Sequence, residues 1–171
     1  VLPYNELGAA AAAYNADEKE LCRLDEIYSA VKTPFEIRSG SEKVTRRFFK
    51  ICNNGRESFT GLYKSLTEQG ICKGHQCIAY GLYMRDNGIE LSEGLAVYGY
   101  SICSAIVTNC VKLVPLSQLA GQKILGESFE LISSASEKAL FTDINDIGIS
   151  GAGFDLRAMQ HERLYSRQYM S

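Results

Sequence analysis

Apolar side chains recur at helical spacing in several stretches of the chain. Between residues 17 and 32 they fall at positions i, i+3, i+6, i+7 and i+10, on one face of a helix: Leu21, Leu24, Ile27, Tyr28 and Val31. Comparable stripes, and one run of alanine, the strongest helix former, predict helices over 7–15, 35–52, 57–70 and 75–88. No stretch alternates with a two-residue period, so the pattern predicts an all-α fold, a single-domain bundle of roughly seven to nine helices with a C-terminal helical tail.

The longest predicted helix covers residues 92–115. Ser92 is placed to cap its start, and Pro115 follows its end. The 18 residues between Glu93 and Lys112 are uncharged, which is long enough to span a membrane. Hydroxyl and amide side chains are nevertheless spread around the helix, which favours a central helix buried on most faces. After it, we expect one more helix to reach Ser133, a weak helix over 136–146 and a flexible glycine-rich segment over 147–153.

Composition narrows the functional classes. The chain has 171 residues and a net charge of -2, so it shows neither the basic excess of a nucleic-acid-binding protein nor a polybasic run for a membrane surface. Six cysteines are scattered through apolar segments, where free cysteine behaves as a small buried hydrophobe. We expect reduced thiols and a cytoplasmic protein.

One cluster of residues could bind a metal. Cys72, His75 and Cys77 follow a C-x2-H-x-C pattern, and two sulfurs with an imidazole suit zinc, nickel or copper. A structural zinc site takes four ligands, however, and only three are adjacent here. The alternative interpretation is a capping histidine beside two core cysteines.

No catalytic motif is evident. The glycines form neither a phosphate-binding loop nor a dinucleotide fingerprint, and no carboxylate pair stands out. Cys103 and Cys110 share a helix face, where packing is the simplest explanation. We therefore expect a protein that is not an enzyme, has no cofactor and works through its surfaces.

The C-terminal segment 155–171 is unusually apolar for a chain end. On a helix turning 100° per residue, Leu156 and Met159 lie nearly opposite Tyr165 and Tyr169. A helix with apolar groups on two sides cannot bury both on its own domain, so we predict that a partner covers one of them. The alternative is a tail that wraps around the domain and buries everything internally.

Four segments carry a resemblance to a known family. They are "KTPFEIRSGSEKVTRRFF" (32–49), "GHQCIAYGLYMRDNGIELSEGLAVYGYS" (74–101), "NCVKLVPLSQLAGQKIL" (109–125) and "AMQHERLYSRQYMS" (158–171). They resemble the urease accessory protein UreF family, especially its Helicobacter-type form. Two departures are Ser117, where the family has glycine, and Cys77, where it often has proline. The family's N-terminal P-x-G-x-[FY]-x-[HS]-S-x-G-L-E motif is absent, so we expect an N-terminally truncated form.

The resemblance implies a domain spanning 1–171, a homodimer and a non-catalytic role in urease maturation. Family members bind UreD (also called UreH) and together recruit the GTPase UreG, which delivers nickel to the urease apoenzyme. The resemblance assigns UreD/UreH binding to the tail residues Met159, His161, Arg163, Leu164, Tyr165, Arg167 and Tyr169. Tyr98 and Tyr100 are predicted to form the dimer face, because aromatic residues are enriched in interface cores; ordinary core packing is the alternative. The runner-up function is a direct metallochaperone that binds nickel or zinc through Cys72, His75 and Cys77.

Overall fold

A computed structural model describes residues 1–52, 55, 58–149 and 151–165. It contains no strand in these ranges, so the all-α prediction is confirmed. Short 3-10 turns lie at Leu2–Tyr4 and Ile144–Asp146. The α-helices in the described ranges are α1 (Glu6–Asn15), α2 (Glu18–Val31), α3 (Phe35–Ile51), α4 (Phe59–Glu68), α5 (Gln76–Asp86), α6 (Leu91–Leu113), α7 (Gln118–Glu127), α8 (Phe129–Ala139) and α9 (Ala152–His161).

Local hydrogen bonds explain where several helices begin. The Asp17 carboxylate accepts the N–H of Glu20 at 2.8 Å, and the Glu20 carboxylate accepts the N–H of Asp17 at 3.0 Å, a reciprocal capping box for α2. The predicted Ser92 cap of the long helix is wrong. Helix α6 begins one residue earlier, because the Glu90 carboxylate accepts the N–H of Glu93 at 3.0 Å, and the Ser92 hydroxyl donates to that same carboxylate.

The alanine run of α1 lies at the centre of the core. Its small side chains let α5 approach so closely that a Cβ added to Gly81 would lie 2.2 Å from the carbonyl oxygen of Ala10. Large apolar side chains such as Leu82 and Met84 complete the layer around this contact and are fully buried. The alanines therefore do more than favour a helix, because they set the distance between α1 and α5.

Helix α6 is much less buried than the sequence suggests. Its length and mean hydropathy match those of a membrane span, but only 22% of that apolar stretch is buried in the fold. Gly94, Leu95, Tyr98 and Gly99 are its only fully buried described residues, and all lie in its first half. The prediction of a helix buried on most faces is wrong, because α1 and α8 cover one side of its first half near Gly99, whereas its second half contacts α7 and has no buried residue.

The chain after Pro115 forms two helices where the sequence predicts one. Ser128 divides them: its N–H bonds to the carbonyls of Ile124 and Leu125, and its hydroxyl donates to the Leu125 carbonyl at 2.7 Å. Such side-chain bonds to the backbone compete with continued helix. Helix α8 then ends at Ala139, so the predicted weak helix over 136–146 is mostly a turn.

The glycine-rich segment before α9 is anchored to the start of the chain. The N–H of Gly148 donates to the Tyr4 carbonyl at 2.8 Å, and the Asn5 amide donates to the Ile149 carbonyl at 3.1 Å. Gly148 has a φ of 111°, a conformation that favours glycine. These bonds fix the point at which α9 leaves the core.

Candidate partner-binding surface

Two polar contacts tie the end of α9 to the start of α3. The imidazole Nδ1 of His161 lies 2.6 Å from Oε2 of Glu36. The backbone N–H of Phe35 donates to Oε1 of Glu162 at 3.0 Å. Helix α3 begins at Phe35, directly after Pro34, and the N–H groups of a first helical turn have no partner within the helix, so the N–H of Phe35 is available to Glu162. The side chains of His161 and Glu162 are thus used to attach the tail.

Helix α9 ends earlier than the predicted tail helix. The N–H groups of Arg163 and Leu164 donate to the carbonyls of Gln160 and His161, each at 3.1 Å, which are the tighter bonds of a closing turn. Leu164 and Tyr165 therefore lie beyond the helix, and the predicted placement of Tyr165 on a helix face is wrong. Residues 166–171 lie outside the described residues, so the roles predicted for Arg167 and Tyr169 stay predictions.

The apolar side chains of this segment face solvent. Leu156 is 61% exposed, and no residue of α9 is buried. We define the tail surface as the exposed apolar side chains Phe154, Leu156, Met159, Leu164 and Tyr165. Burying an exposed leucine, methionine or phenylalanine is worth roughly 1.5–3 kcal/mol, so a partner that covers several of them gains substantial free energy. Arg163 is also exposed at the same end of the molecule.

A groove continues from the tail surface into the body of the protein. Its outer part has a volume of about 550 Å³ and lies between Phe154 and the N-terminal residues on one side and α6 on the other. An inner part of about 340 Å³ runs on between α3 and α6. The apolar residues that line the two parts are Val1, Leu2, Val31, Pro34, Ile37, Val44, Ile102, Ala105, Ile106 and Phe154. Sequence reasoning missed this groove, because it depends on how far apart α3 and α6 lie.

One ion pair lies on the groove wall. The Lys32 ammonium is 2.8 Å from the Glu6 carboxylate and also donates to the Tyr28 hydroxyl at 2.8 Å. Burial opposes ionisation of Glu6, but the charge and hydrogen bond of Lys32 hold the pKa of Glu6 below its usual value. Glu6 and Lys32 line both parts of the groove, so its mixed lining, which also includes Asp155 and Asn109, contains one mutually neutralised ion pair.

The two tyrosines predicted at the dimer face have different environments. Tyr98 is 3% exposed and stacks on Tyr80, with ring centroids 4.4 Å apart. Tyr98 is therefore a core residue, as in the alternative interpretation of its role, and almost none of its surface is accessible to a second copy. Tyr100 is exposed and stacks on exposed Phe129 of α8, with centroids 5.8 Å apart. Of the two, only Tyr100 presents an aromatic surface.

The structure does not assemble the predicted metal ligands. Cys72, His75 and Cys77 are all buried, but Nε2 of His75 lies 2.8 Å from the Ser29 hydroxyl. The Cys72 thiol contacts Cys22, 3.9 Å away. Within the described ranges, no three His, Cys, Asp or Glu side chains are grouped to hold a metal ion. The arrangement gives no support to a metallochaperone site at this cluster.

Burial also keeps these groups uncharged. It lowers the pKa of His75 to about 4 and raises the pKa of Cys77 to about 12, because a charged group loses its hydration in the core. His75 Nδ1 has no hydrogen-bond partner among the described residues. The Tyr28 ring meets the imidazole edge to face, with centroids 5.0 Å apart. His75 is thus a neutral core residue at the start of α5.

Comparison with known proteins identifies the family. The UreF family model matches residues 2–128. The urease accessory protein UreF of Actinobacillus pleuropneumoniae serotype 5b (strain L20) is 32% identical over 98% of this chain and 76% of its own length. UreF of Haemophilus influenzae (strain PittGG) is 33% identical over 98% of the chain and 74% of its length. UreF of Paenarthrobacter aurescens (strain TC1) is 31% identical over 86% and 67%. With a family model that covers most of the chain and relatives of this similarity, the protein belongs to the UreF family of urease accessory proteins.

Proposed function

We propose that the chain is a non-catalytic scaffold for urease maturation. With UreD/UreH it recruits the GTPase UreG, and the assembly inserts nickel into the urease apoenzyme. Nickel is the cargo of that assembly, and the scaffold needs no cofactor of its own. Membership of the UreF family supports the urease context. We place the protein in the cytoplasm, where its free cysteines stay reduced under ordinary conditions.

The observation that carries this proposal is the exposed tail surface. Its apolar groups project into solvent although the attached polar side chains of His161 and Glu162 hold the segment in place. A stable monomer seldom leaves such a group of large apolar side chains uncovered unless they bind something. We propose UreD/UreH as the partner, with the tail surface supplying apolar contacts and Arg163 and Arg167 supplying directional hydrogen bonds.

The groove extends the surface available to that partner. Phe154 belongs both to the tail surface and to the groove wall, so a segment seated on the tail can continue along this side chain into the groove between α3 and α6. The Glu6–Lys32 pair offers the only fixed charges among the side chains that line both parts of this groove. This continuity favours a macromolecular partner over a small ligand.

A homodimer completes the proposed assembly. Tyr100 of α6 and Phe129 of α8 form an exposed aromatic pair, and exposed Val97 lies one helical turn before Tyr100. A second copy covering these side chains would bury the surface that the chain itself leaves open. The tail surface and this aromatic pair consist of different residues, so the two proposed interfaces share no side chain.

A pull-down with UreD/UreH tests the tail. We expect deletion of residues 155–171 to abolish binding and to leave the circular dichroism nearly unchanged, since among the described helices it shortens only α9 and leaves α1–α8 intact. The double substitution Leu156→Glu/Met159→Glu should give the same loss with the chain length kept. Leu119→Glu is the matched control, because Leu119 is also a helical residue, 82% exposed, but lies on α7. Binding retained by both tail variants would refute the proposal.

A further inference from the structure

Two cysteines that lie 50 positions apart in the chain meet in the fold. Cys22 is on α2, and Cys72 is in the loop between α4 and α5. Both are free thiols, and the Cys72 thiol donates to Sγ of Cys22 across 3.9 Å. A disulfide bond is about 2.05 Å long, so the sulfur atoms need to approach by roughly 2 Å.

The two backbones are already held together beside this pair. Asp25, one helical turn after Cys22, accepts the backbone N–H of Lys73 at 2.7 Å and that of Gly74 at 3.1 Å. These N–H groups belong to the two residues that follow Cys72. The loop and α2 are therefore joined without any bond between the sulfurs, and side-chain rotation supplies the remaining approach.

We propose that Cys22 and Cys72 form a reversible disulfide when the protein meets a peroxide. The pair is thus an oxidation site that links α2 to the loop before α5. Within the described ranges no third His, Cys, Asp or Glu joins them to complete a metal site, so the chemistry open to the paired sulfurs is oxidation. In a reducing cytoplasm a bond of this kind is transient, which matches the free thiols of the resting protein.

The surroundings give the two sulfurs different roles. Cys22 is half-buried, so a small peroxide can reach it, whereas Cys72 is buried. Burial, followed by the nearby Asp25 charge, raises the pKa of the Cys72 thiol well above its usual range, so Cys72 keeps its proton. Cys22 is therefore the residue that reacts with the oxidant, and Cys72 is the residue that resolves the product.

The steps balance with one equivalent of hydrogen peroxide. The Cys22 thiolate attacks one peroxide oxygen, the O–O bond breaks, and the departing hydroxide takes up the proton that the thiol released, which leaves a sulfenic acid. Sγ of Cys72 then attacks Sγ of Cys22. The S–O bond breaks, and the hydroxyl leaves as water with the Cys72 proton. The two sulfurs lose two electrons, and the peroxide is reduced to two waters.

Peptide mapping of the full chain tests this proposal. The protein is treated with hydrogen peroxide, the remaining thiols are alkylated, and the tryptic digest is analysed by mass spectrometry. We expect a disulfide that joins peptide 20–23 to peptide 65–73, at least ten times more abundant than in the untreated protein and absent after reduction. The linked protein should also unfold at a higher urea concentration, because the bond restricts the unfolded chain.

Three variants separate the roles of the two sulfurs. In Cys22→Ser, peroxide should leave the Cys72 thiol free, so that it is alkylated as fully as in the untreated protein. Cys72→Ser should leave a sulfenic acid on Cys22 that dimedone traps several-fold more strongly than in the parent protein. Cys110→Ser is the matched control, since Cys110 is half-buried like Cys22, and it should give the parental yield. Oxidation of Cys22 in the parent protein to sulfinic acid with no linked peptide would overturn the proposal, as would loss of the free Cys72 thiol in peroxide-treated Cys22→Ser.

Discussion

The Tyr63 hydroxyl donates a hydrogen bond to Oδ2 of Asp25 across 2.6 Å, in the core between α4 and α2. The same hydroxyl accepts the backbone N–H of His75 at 2.8 Å. Burial, then the Asp25 charge, raise the pKa of Tyr63 well above its usual value, so this hydroxyl stays protonated. The Tyr63 hydroxyl thus donates a hydrogen bond to a buried carboxylate and accepts one from the residue that precedes α5.

Tyr63→Phe removes both bonds and keeps the ring. We expect the free energy of unfolding to fall by roughly 1–3 kcal/mol, because a buried carboxylate and a buried N–H each lose a partner. Urea denaturation measures this loss. Tyr165→Phe is the control, since the Tyr165 side chain is fully exposed, and a change within about 0.5 kcal/mol is expected there. Equal effects in the two variants would contradict the proposed role of the hydroxyl.

His75 predicts a pH dependence of stability. Burial lowers its pKa from 6.5 to about 4, so between these values the unfolded chain binds a proton that the folded chain does not. The contribution of His75 to stability is therefore complete above pH 6.5 and falls as the pH drops from 6.5 towards 4, by about 3 kcal/mol in all.

Two substitutions to glutamine provide the comparison for this pH effect. His75→Gln should flatten the unfolding free energy between pH 6.5 and 4 relative to the parent protein. Leu119→Gln should retain the parental slope, because this exposed side chain of α7 has no titratable group before or after the change. The same slope in both variants would show that other groups cause the dependence.

The contact between α1 and α5 predicts a severe effect at Gly81. Gly81→Ala places a Cβ 2.2 Å from the Ala10 carbonyl oxygen and 3.0 Å from the Ala13 Cβ, so the two helices must move apart. We expect a loss of about 1–3 kcal/mol from overpacking. Gly126→Ala in α7 meets nothing within 4 Å and should instead stabilise by roughly 0.5–1 kcal/mol. Thermal unfolding of both variants decides whether the spacing of these helices is fixed.

The exposed aromatic pair on α6 and α8 predicts a dimer. Sedimentation should give twice the chain mass for the parent protein, and Tyr100→Glu should give the monomer mass with unchanged circular dichroism, because a charge would have to be buried at the interface. Tyr165→Glu is the matched control on the tail surface and should remain a dimer. A monomeric parent protein at high concentration would contradict the prediction.

Sequence reasoning located most helices because their limits are set locally. Asp17 caps α2, Pro34 precedes α3, and Gly88 ends the α5 turn with a φ of 63°. The division between α7 and α8 was missed because Ser128 bonds to the backbone in a way that the apolar pattern does not record. Directly after α9, Glu162 accepts a hydrogen bond from Phe35, more than 120 positions away, and no local pattern contains such a contact.

The candidate site was predictable in part. Leu156 and Met159 show the apolar character of the tail in the sequence, and both side chains are exposed in the structure. Tyr98 and Tyr100 could not be distinguished, because α6 carries apolar residues on every side and only the packing of α1 and α8 decides which side is covered. The groove was not predictable at all, since it arises from the separation of two helices that are distant in the sequence.

The exposed apolar side of α6 affects the solubility of the protein inside a crowded cell. A newly folded copy carries apolar side chains along a helix of 23 residues, and most of this helix is not buried in the fold. Copies of such a protein aggregate as their concentration rises unless a binding partner covers the apolar surface. On overproduction, the yield and solubility of the protein should therefore depend more on co-expression of a binding partner than on the free energy of unfolding.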